Sequence, residues 1–129
     1  MQVSQELDTI PAILRNNADQ SGDSTALIYD YNKITYATLH ELVLNASCGL
    51  SKLGIKSGDR VAFWLPNTPA YIVLYLACVQ LNAIAVAVNT RFKGSEVADI
   101  VSRSGAKSII FWPLFKKANF LEVLNSVED

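Results

Sequence analysis

Charge is missing from the middle of this chain. Among its 129 residues, 11 Lys and Arg oppose 12 Asp and Glu for a net charge of −1, yet none falls between Arg60 and Arg91. Val61–Thr90 is thirty residues without a charged side chain, twenty-two of them apolar. A membrane-spanning helix needs about 20 mainly apolar residues in a row. Pro66, Asn67, Thr68 and Pro69 interrupt the stretch early, and Gln80 and Asn82 interrupt it late. The longest uninterrupted run, Ala70–Val79, is ten residues, so no transmembrane segment is expected. Histidine is nearly absent, with His40 alone, and the two cysteines, Cys48 and Cys78, form no CxxC pair. That poverty suits buried free thiols in a reducing compartment better than a disulfide scaffold or a zinc site. No basic region followed by an apolar core opens the chain, so the expectation is a cytoplasmic protein without a secretory signal. Asn45-Ala46-Ser47 matches a glycosylation pattern, but it falls inside an expected helix of a cytoplasmic chain and is read as chance. Balanced charge and a pI near 5.8 leave no concentrated basic patch for nucleic acid. With half the residues apolar, disorder is excluded, and a chain of this length buries roughly two-thirds of its unfolded surface.

The apolar pattern predicts alternating elements. Thr9 is placed to cap a first helix with Pro11 in its first turn. Thr25–Tyr29 reads as a strand, Asp30–Lys33 as a turn, and Ile34-Thr35 as a second short strand. From a Thr35 cap, Leu39, Leu42, Val43, Ala46, Leu50 and Leu53 follow helical spacing, and Gly54 closes that helix. Val61–Leu65 is apolar at every position, as in a strand covered on both faces. Thr68-Pro69 starts a helix with a hydroxyl cap and a first-turn proline. That helix is apolar nearly all round through Leu81, which predicts deep burial, and Asn82 stands where a left-handed residue is needed. Ala83–Val88 is a second continuous apolar strand, Ser95–Ser104 a short helix closed by Gly105, Ser108–Trp112 a strand, and Lys117–Val127 a last amphipathic helix. Strands alternating with helices specify a single α/β domain over residues 1–129, with a mostly parallel sheet flanked by helices.

Nucleotide loops and catalytic clusters are absent as well. Gly22, Gly49, Gly54, Gly58, Gly94 and Gly105 build neither GxGxxG nor GxxxxGK[ST], so neither a dinucleotide fingerprint nor a Walker loop is present. There is no GxSxG elbow. Carboxylates are scattered and suggest no metal site, and no catalytic residue is assigned. His40 falls off the apolar stripe of its helix, on a half-solvated flank.

Several short segments in register nevertheless resemble one family. They are Ile34-Thr-Tyr-Ala-Thr-Leu39, Leu53-Gly-Ile-Lys-Ser-Gly-Asp-Arg-Val61, Leu65-Pro-Asn-Thr-Pro-Ala-Tyr71 and Ala83-Ile-Ala-Val-Ala-Val-Asn-Thr-Arg91. Ser95-Glu-Val97, Ser104-Gly-Ala-Lys107 and the earlier Thr25-Ala-Leu-Ile28 keep the same order. Together they resemble the start of the adenylate-forming acyl-CoA synthetases, also called AMP-binding synthetases and ligases. One departure is Asn82, where the family usually has Gly; Asn tolerates the same backbone.

The resemblance implies an N-terminal portion of a ligase that converts a carboxylate and ATP to an acyl-adenylate and then to acyl-CoA. ATP, Mg2+ and coenzyme A are implied for the full-length enzyme and no bound cofactor for this portion, because the family's phosphate loop and catalytic lysine have no counterpart here. A stand-alone binding module of the same fold, or part of a peptide-synthetase adenylation domain, is the alternative. In some CoA-transferring members, the Arg of an Asn-x-Arg motif contacts CoA phosphates; the matching residue is Arg91, with Lys93 nearby. Trp64, Tyr71 and Tyr75 are candidates for lining a substrate tunnel, with core packing the more ordinary role for aromatics on these elements. The expected partners are the remainder of the ligase chain and, through surface left uncovered, a second copy.

Overall fold

The computed structural model describes residues 9–115 and 118–125. Helix α1 spans Ile10–Ser21 and starts as expected: Thr9 is extended, and its hydroxyl accepts the Ala12 N–H at 3.3 Å. Strands β1, Thr25–Tyr29, and β2, Asn32–Thr35, pair as an antiparallel hairpin. Its turn is tighter than Asp30–Lys33. Only Asp30 (φ 48°) and Tyr31 (φ 65°) form it, both left-handed, as a two-residue hairpin turn of the favoured twist demands. Neither residue is Gly or Asn, so the usual signal is missing and β2 begins two residues before Ile34.

Helix α2, Tyr36–Lys52, is capped by the Thr35 hydroxyl, which accepts the Thr38 N–H at 3.2 Å. It buries Leu39, Val43, Ser47 and Leu50. Two expected core residues turn outward: Leu42 is partly exposed, and Leu53, just past the helix end, is largely exposed. Gly54 follows at φ 95°. Ser47 Oγ donates to Val43 O at 2.8 Å and lies 3.4 Å from Ala77 O, so this buried polar side chain is satisfied inside the α2 contact with the next helix.

The parallel sheet is built from β3 (Arg60–Trp64), β4 (Ile84–Ala87) and β5 (Ser108–Phe111) in the order β4-β3-β5. Arg60–Phe63 align with Ile84–Ala87, and Val61–Trp64 align with Ser108–Phe111. Helices α3 (Pro69–Gln80) and α4 (Gly94–Ser104) make the crossovers. Side chains alternate across a strand, so β3 feeds two cores. Val61, Phe63 and Leu65 pack with Leu50, Ala77 and Cys78, whereas Ala62 and Trp64 pack with Val88 and Val97. Leu14, Leu39 and Val43 form a third cluster beneath α1.

Three expectations of burial are corrected. Helix α3 fully buries only Ala77 and Cys78, while Ile72 and Tyr75 are more than a third exposed, because one flank carries α2 and the other is uncovered among the described residues. Strand β4 is an edge strand, and Ile84 is 47% exposed. Cys78 is buried, but Cys48 is exposed, since it lies one position round α2 from the inward-facing Ser47. Thr68 precedes α3 in an extended conformation without donating or accepting a capping bond through its side chain. Asn82 adopts φ 57°, as its position required.

The C-terminal end departs furthest from expectation. In place of one helix over Lys117–Val127, Leu114–Phe115 (β6) pairs antiparallel with Ala118–Asn119 (β7). A shorter helix α5, Phe120–Asn125, follows. Asn119 Oδ1 accepts the Glu122 N–H at 3.2 Å, which starts the helix there. Residue 117 and residues 126–127 of the expected helix lie outside the described residues.

Candidate functional site

The carboxyl ends of β3 and β4 open on one side of the sheet, the edge where ligands of open α/β sheets bind. A cleft of about 400 Å³ lies there, lined by Leu65, Asn67 and Tyr71 after β3 and by Val88, Asn89 and Thr90 after β4. Its wall is mixed, with carboxamides and a hydroxyl beside Leu, Val and an aromatic ring.

The loop after β4 is tied down by Asn89. The Trp64 indole Nε1–H donates to Asn89 O at 3.0 Å, and the Phe92 N–H donates to the same carbonyl at 3.0 Å. The Asn89 Oδ1 accepts the Arg91 N–H at 2.9 Å, a side-chain turn of the kind Asn supplies readily. Val88 N–H completes the approach by donating to Phe63 O at 2.9 Å. The Asn-x-Arg segment thus has its backbone fixed by the core while its Arg side chain remains exposed. Among the described residues, the Arg91 guanidinium has no hydrogen bond or ion pair.

Lys93 stands next to this loop as the residue before α4. Its N–H donates to Glu96 Oε2 at 2.6 Å, half of a capping box; an ammonium has no lone pair with which to complete the other half. Neither Arg91 nor Lys93 lines the cleft, although their chain neighbours Thr90 and Phe92 do.

The aromatics divide by role. Trp64 is fully buried and anchors the loop from within, a function its sequence position did not disclose. Tyr71 packs on Phe63 with ring centroids 5.7 Å apart while also facing the cleft. Tyr75 is 37% exposed on α3, away from the cleft lining. His40 does not approach the cleft; it lines a separate cavity among α1, α2 and α3.

Behind the sheet's opposite edge, electrostatics serve the fold. Asp59 Oδ2 accepts the Lys56 N–H at 2.9 Å, and Oδ1 meets Lys107 Nζ at 3.1 Å. The Lys56 N–H foremost, then the Lys107 ammonium, hold this carboxyl below the ordinary value of 3.8. Arg60 Nη1 donates to Ser104 O at 2.8 Å and so closes the end of α4, next to Gly105 at φ 67°. Burial pushes the Cys78 thiol up from 9.0 to about 11, which keeps it protonated and unreactive at neutral pH. No helix among the described residues is long and apolar enough to cross a membrane.

Known proteins share both wording and shape with this chain. A methyl-dioxo-octahydroindenyl-propanoyl:CoA ligase of Mycobacterium tuberculosis is 38% identical over 114 residues, 88% of this chain and 22% of that protein. The mitochondrial medium-chain acyl-CoA ligase ACSF2 of Mus musculus is 31% identical, over 92% of this chain and 20% of its own. The chain therefore spans about a fifth of the length of these relatives. Among solved structures, a fatty acyl CoA synthetase of Mycobacterium tuberculosis superposes with a TM-score of 0.77 at 35% identity, over 80% of this chain and 21% of that one. The N-terminal subdomain of Klebsiella oxytoca NpsA gives a TM-score of 0.79 at 27% identity, over 84% and 28% of the respective chains. The family profile of the AMP-binding enzymes matches residues 14–129, and with this breadth of agreement the chain belongs to the AMP-binding, adenylate-forming family of acyl-CoA synthetases and ligases.

Proposed function

We propose that this chain supplies the opening part of an AMP-forming acid–CoA ligase and that Arg91, assisted by Lys93, holds phosphate groups of coenzyme A. The supporting observation is the loop of Asn89. It fixes the Arg91 backbone at the carboxyl edge of the sheet by three hydrogen bonds and leaves the guanidinium unengaged among the described residues. A guanidinium presents paired donors that fit a phosphate, and an ammonium nearby adds a point charge. Similarity to two CoA ligases favours coenzyme A over a carrier protein as the acceptor.

Activation of the carboxylate with ATP and Mg2+ belongs, on this reading, to residues outside these 129. The chain alone is therefore expected to show no acid-dependent ATP–pyrophosphate exchange. Its own contribution is tested by titrating it with coenzyme A in a calorimeter. Arg91→Ala should weaken binding about tenfold, as loss of one charge-assisted pair implies, while Arg103→Ala should leave it unchanged. Equal binding by the Arg91→Ala chain and the parent overturns the assignment.

Ile28, Tyr29, Ile72, Tyr75 and Ile84 expose apolar surface on the hairpin, α3 and β4. The rest of a longer ligase would cover such surface, and in the isolated chain a second copy takes its place. Light scattering should show mass rising with concentration; a constant monomer mass refutes this.

A further inference from the structure

The junction of α1, α2 and α3 holds a cavity of about 420 Å³ that shares no residue with the cleft at the strand ends. Arg15 reaches it from α1, His40 from α2 and Gln80 from the end of α3. These three side chains carry hydrogen-bond donors, and none has a hydrogen-bond or ion-pair partner among the described residues. The remaining described lining is Thr9, Pro11, Ala12 and Leu44, so no carboxylate stands in that wall among the described residues.

Among the described residues, nearby groups do not compete for the donors. Asp19 lies one turn beyond Arg15, the spacing of a helical ion pair, yet no such pair forms; the described ion pairs are Asp99–Arg103 and Asp59–Lys107. Glu41 follows His40 in sequence but is not part of the lining. The backbone is largely spent as well. Pro11 has no N–H, and the Ala12 and Ile13 N–H groups are taken by Thr9. The last carbonyls of α3, from Ala77, Cys78 and Val79, accept the N–H groups of Leu81, Asn82 and Ala83. What remains to meet a ligand is a guanidinium, an imidazole and a carboxamide on three separate helices.

We propose that this junction is a binding site for a small oxyanion, a carboxylate or phosphate group carried by a small molecule. The guanidinium takes two oxygens in its fork. The imidazole N–H and the Gln80 amide complete a set of donors from the other two helices. Because each helix contributes one donor, occupancy draws α1 onto the α2–α3 pair.

The test is nuclear magnetic resonance on the full 129-residue chain, with inorganic phosphate and acetate titrated separately at ionic strength held constant with sodium chloride. The Arg15 Nε–H, His40 ring and Gln80 carboxamide signals should shift together and saturate within about 50 mM, as a few charge-assisted bonds provide. Saturation by phosphate alone assigns the phosphate class, and saturation by acetate alone the carboxylate class. Arg15→Gln, at an exposed position that tolerates it, should weaken binding about tenfold. Lys33→Gln, on the hairpin, should change nothing. Non-saturating shifts, or equal losses in both variants, overturn the site.

Discussion

Replacing Trp64 by Phe probes the link between the core and the loop that carries Arg91. The indole is fully buried between β3 and α4, and its Nε1–H is bonded to Asn89 O at 3.0 Å. Phenylalanine keeps an aromatic ring but loses that donor and three ring atoms. One hydrogen bond contributes about 1 kcal/mol net. The void left by the smaller ring adds about 1–2 kcal/mol, since residual cavity costs roughly 24 cal/mol per Å³ on top of lost transfer energy. The expected loss is about 2–3 kcal/mol, or roughly 10 °C in Tm for a domain of this size. Urea unfolding followed by circular dichroism measures it, with the half-exposed Trp112 as the remaining fluorescent probe. Asn89 O keeps the Phe92 N–H in the variant, so the loop should loosen without melting. Exchange of the Arg91 and Phe92 amides should therefore accelerate beyond the change expected from global stability alone. A stability loss below about 0.5 kcal/mol would show that the ring is loosely packed. Unaltered relative protection of those two amides would refute the coupling of core to loop.

Two further outcomes follow from the titrating groups. A thiol reagent at about pH 8 should modify Cys48 within minutes and reach Cys78 only on unfolding, because one is exposed and the other is buried with its thiol held to about 11; two thiols reacting at one rate in the native chain would contradict the burial. Since the folded value lies above the unfolded one, stability from this group is present below pH 9 and is lost as pH rises toward 11. Asp59 behaves in the opposite sense. Its folded value is below 3.8, so its contribution is present above that pH and is lost as pH falls through the lowered value. Asp59→Asn should lower the urea midpoint near neutrality and approach the parent as pH falls through the lowered value, and parallel curves at all pH values would exclude the carboxylate's role.

The parts of the fold legible in the sequence are those determined by neighbours along the chain. The start of α2 follows from Thr35 and its apolar stripe, β3 from five consecutive apolar residues, and the turn after α3 from Asn82. The β3–α3–β4 and β4–α4–β5 crossovers of the parallel sheet follow from their alternation. Local sequence does not decide where tertiary environment does. Helix α3 is apolar all round, but composition does not reveal which flank is packed. Strand β4 reads as a central strand because its sequence is uninterrupted, yet its place at the edge depends on pairing across the sheet. The Asp30-Tyr31 turn hides behind residues that rarely adopt φ > 0, and the β6–β7 hairpin is too short to leave a period. For the candidate site, the position of Arg91 at the strand ends was legible from chain order and motif. The Trp64–Asn89 bond was not, since its partners lie 25 residues apart and no local pattern announces them. The convergence of Arg15, His40 and Gln80 likewise depends on three helices meeting, and His40 read alone suggests only a half-solvated flank.

Strand β3 supplies the floor of two cores with a single backbone: Val61 and Phe63 on one face, Ala62 and Trp64 on the other. Its amides are enclosed by β4 on one side and β5 on the other. Neither layer can open without removing the ground beneath the other. Helix α1, whose core contacts lie in a separate cluster, is free to fray as an independent unit, whereas α3 and α4 are bound to one cooperative event through a strand that touches both. Hydrogen exchange should thus find the slowest amides not in the long α2 helix but in the short strand Arg60–Trp64.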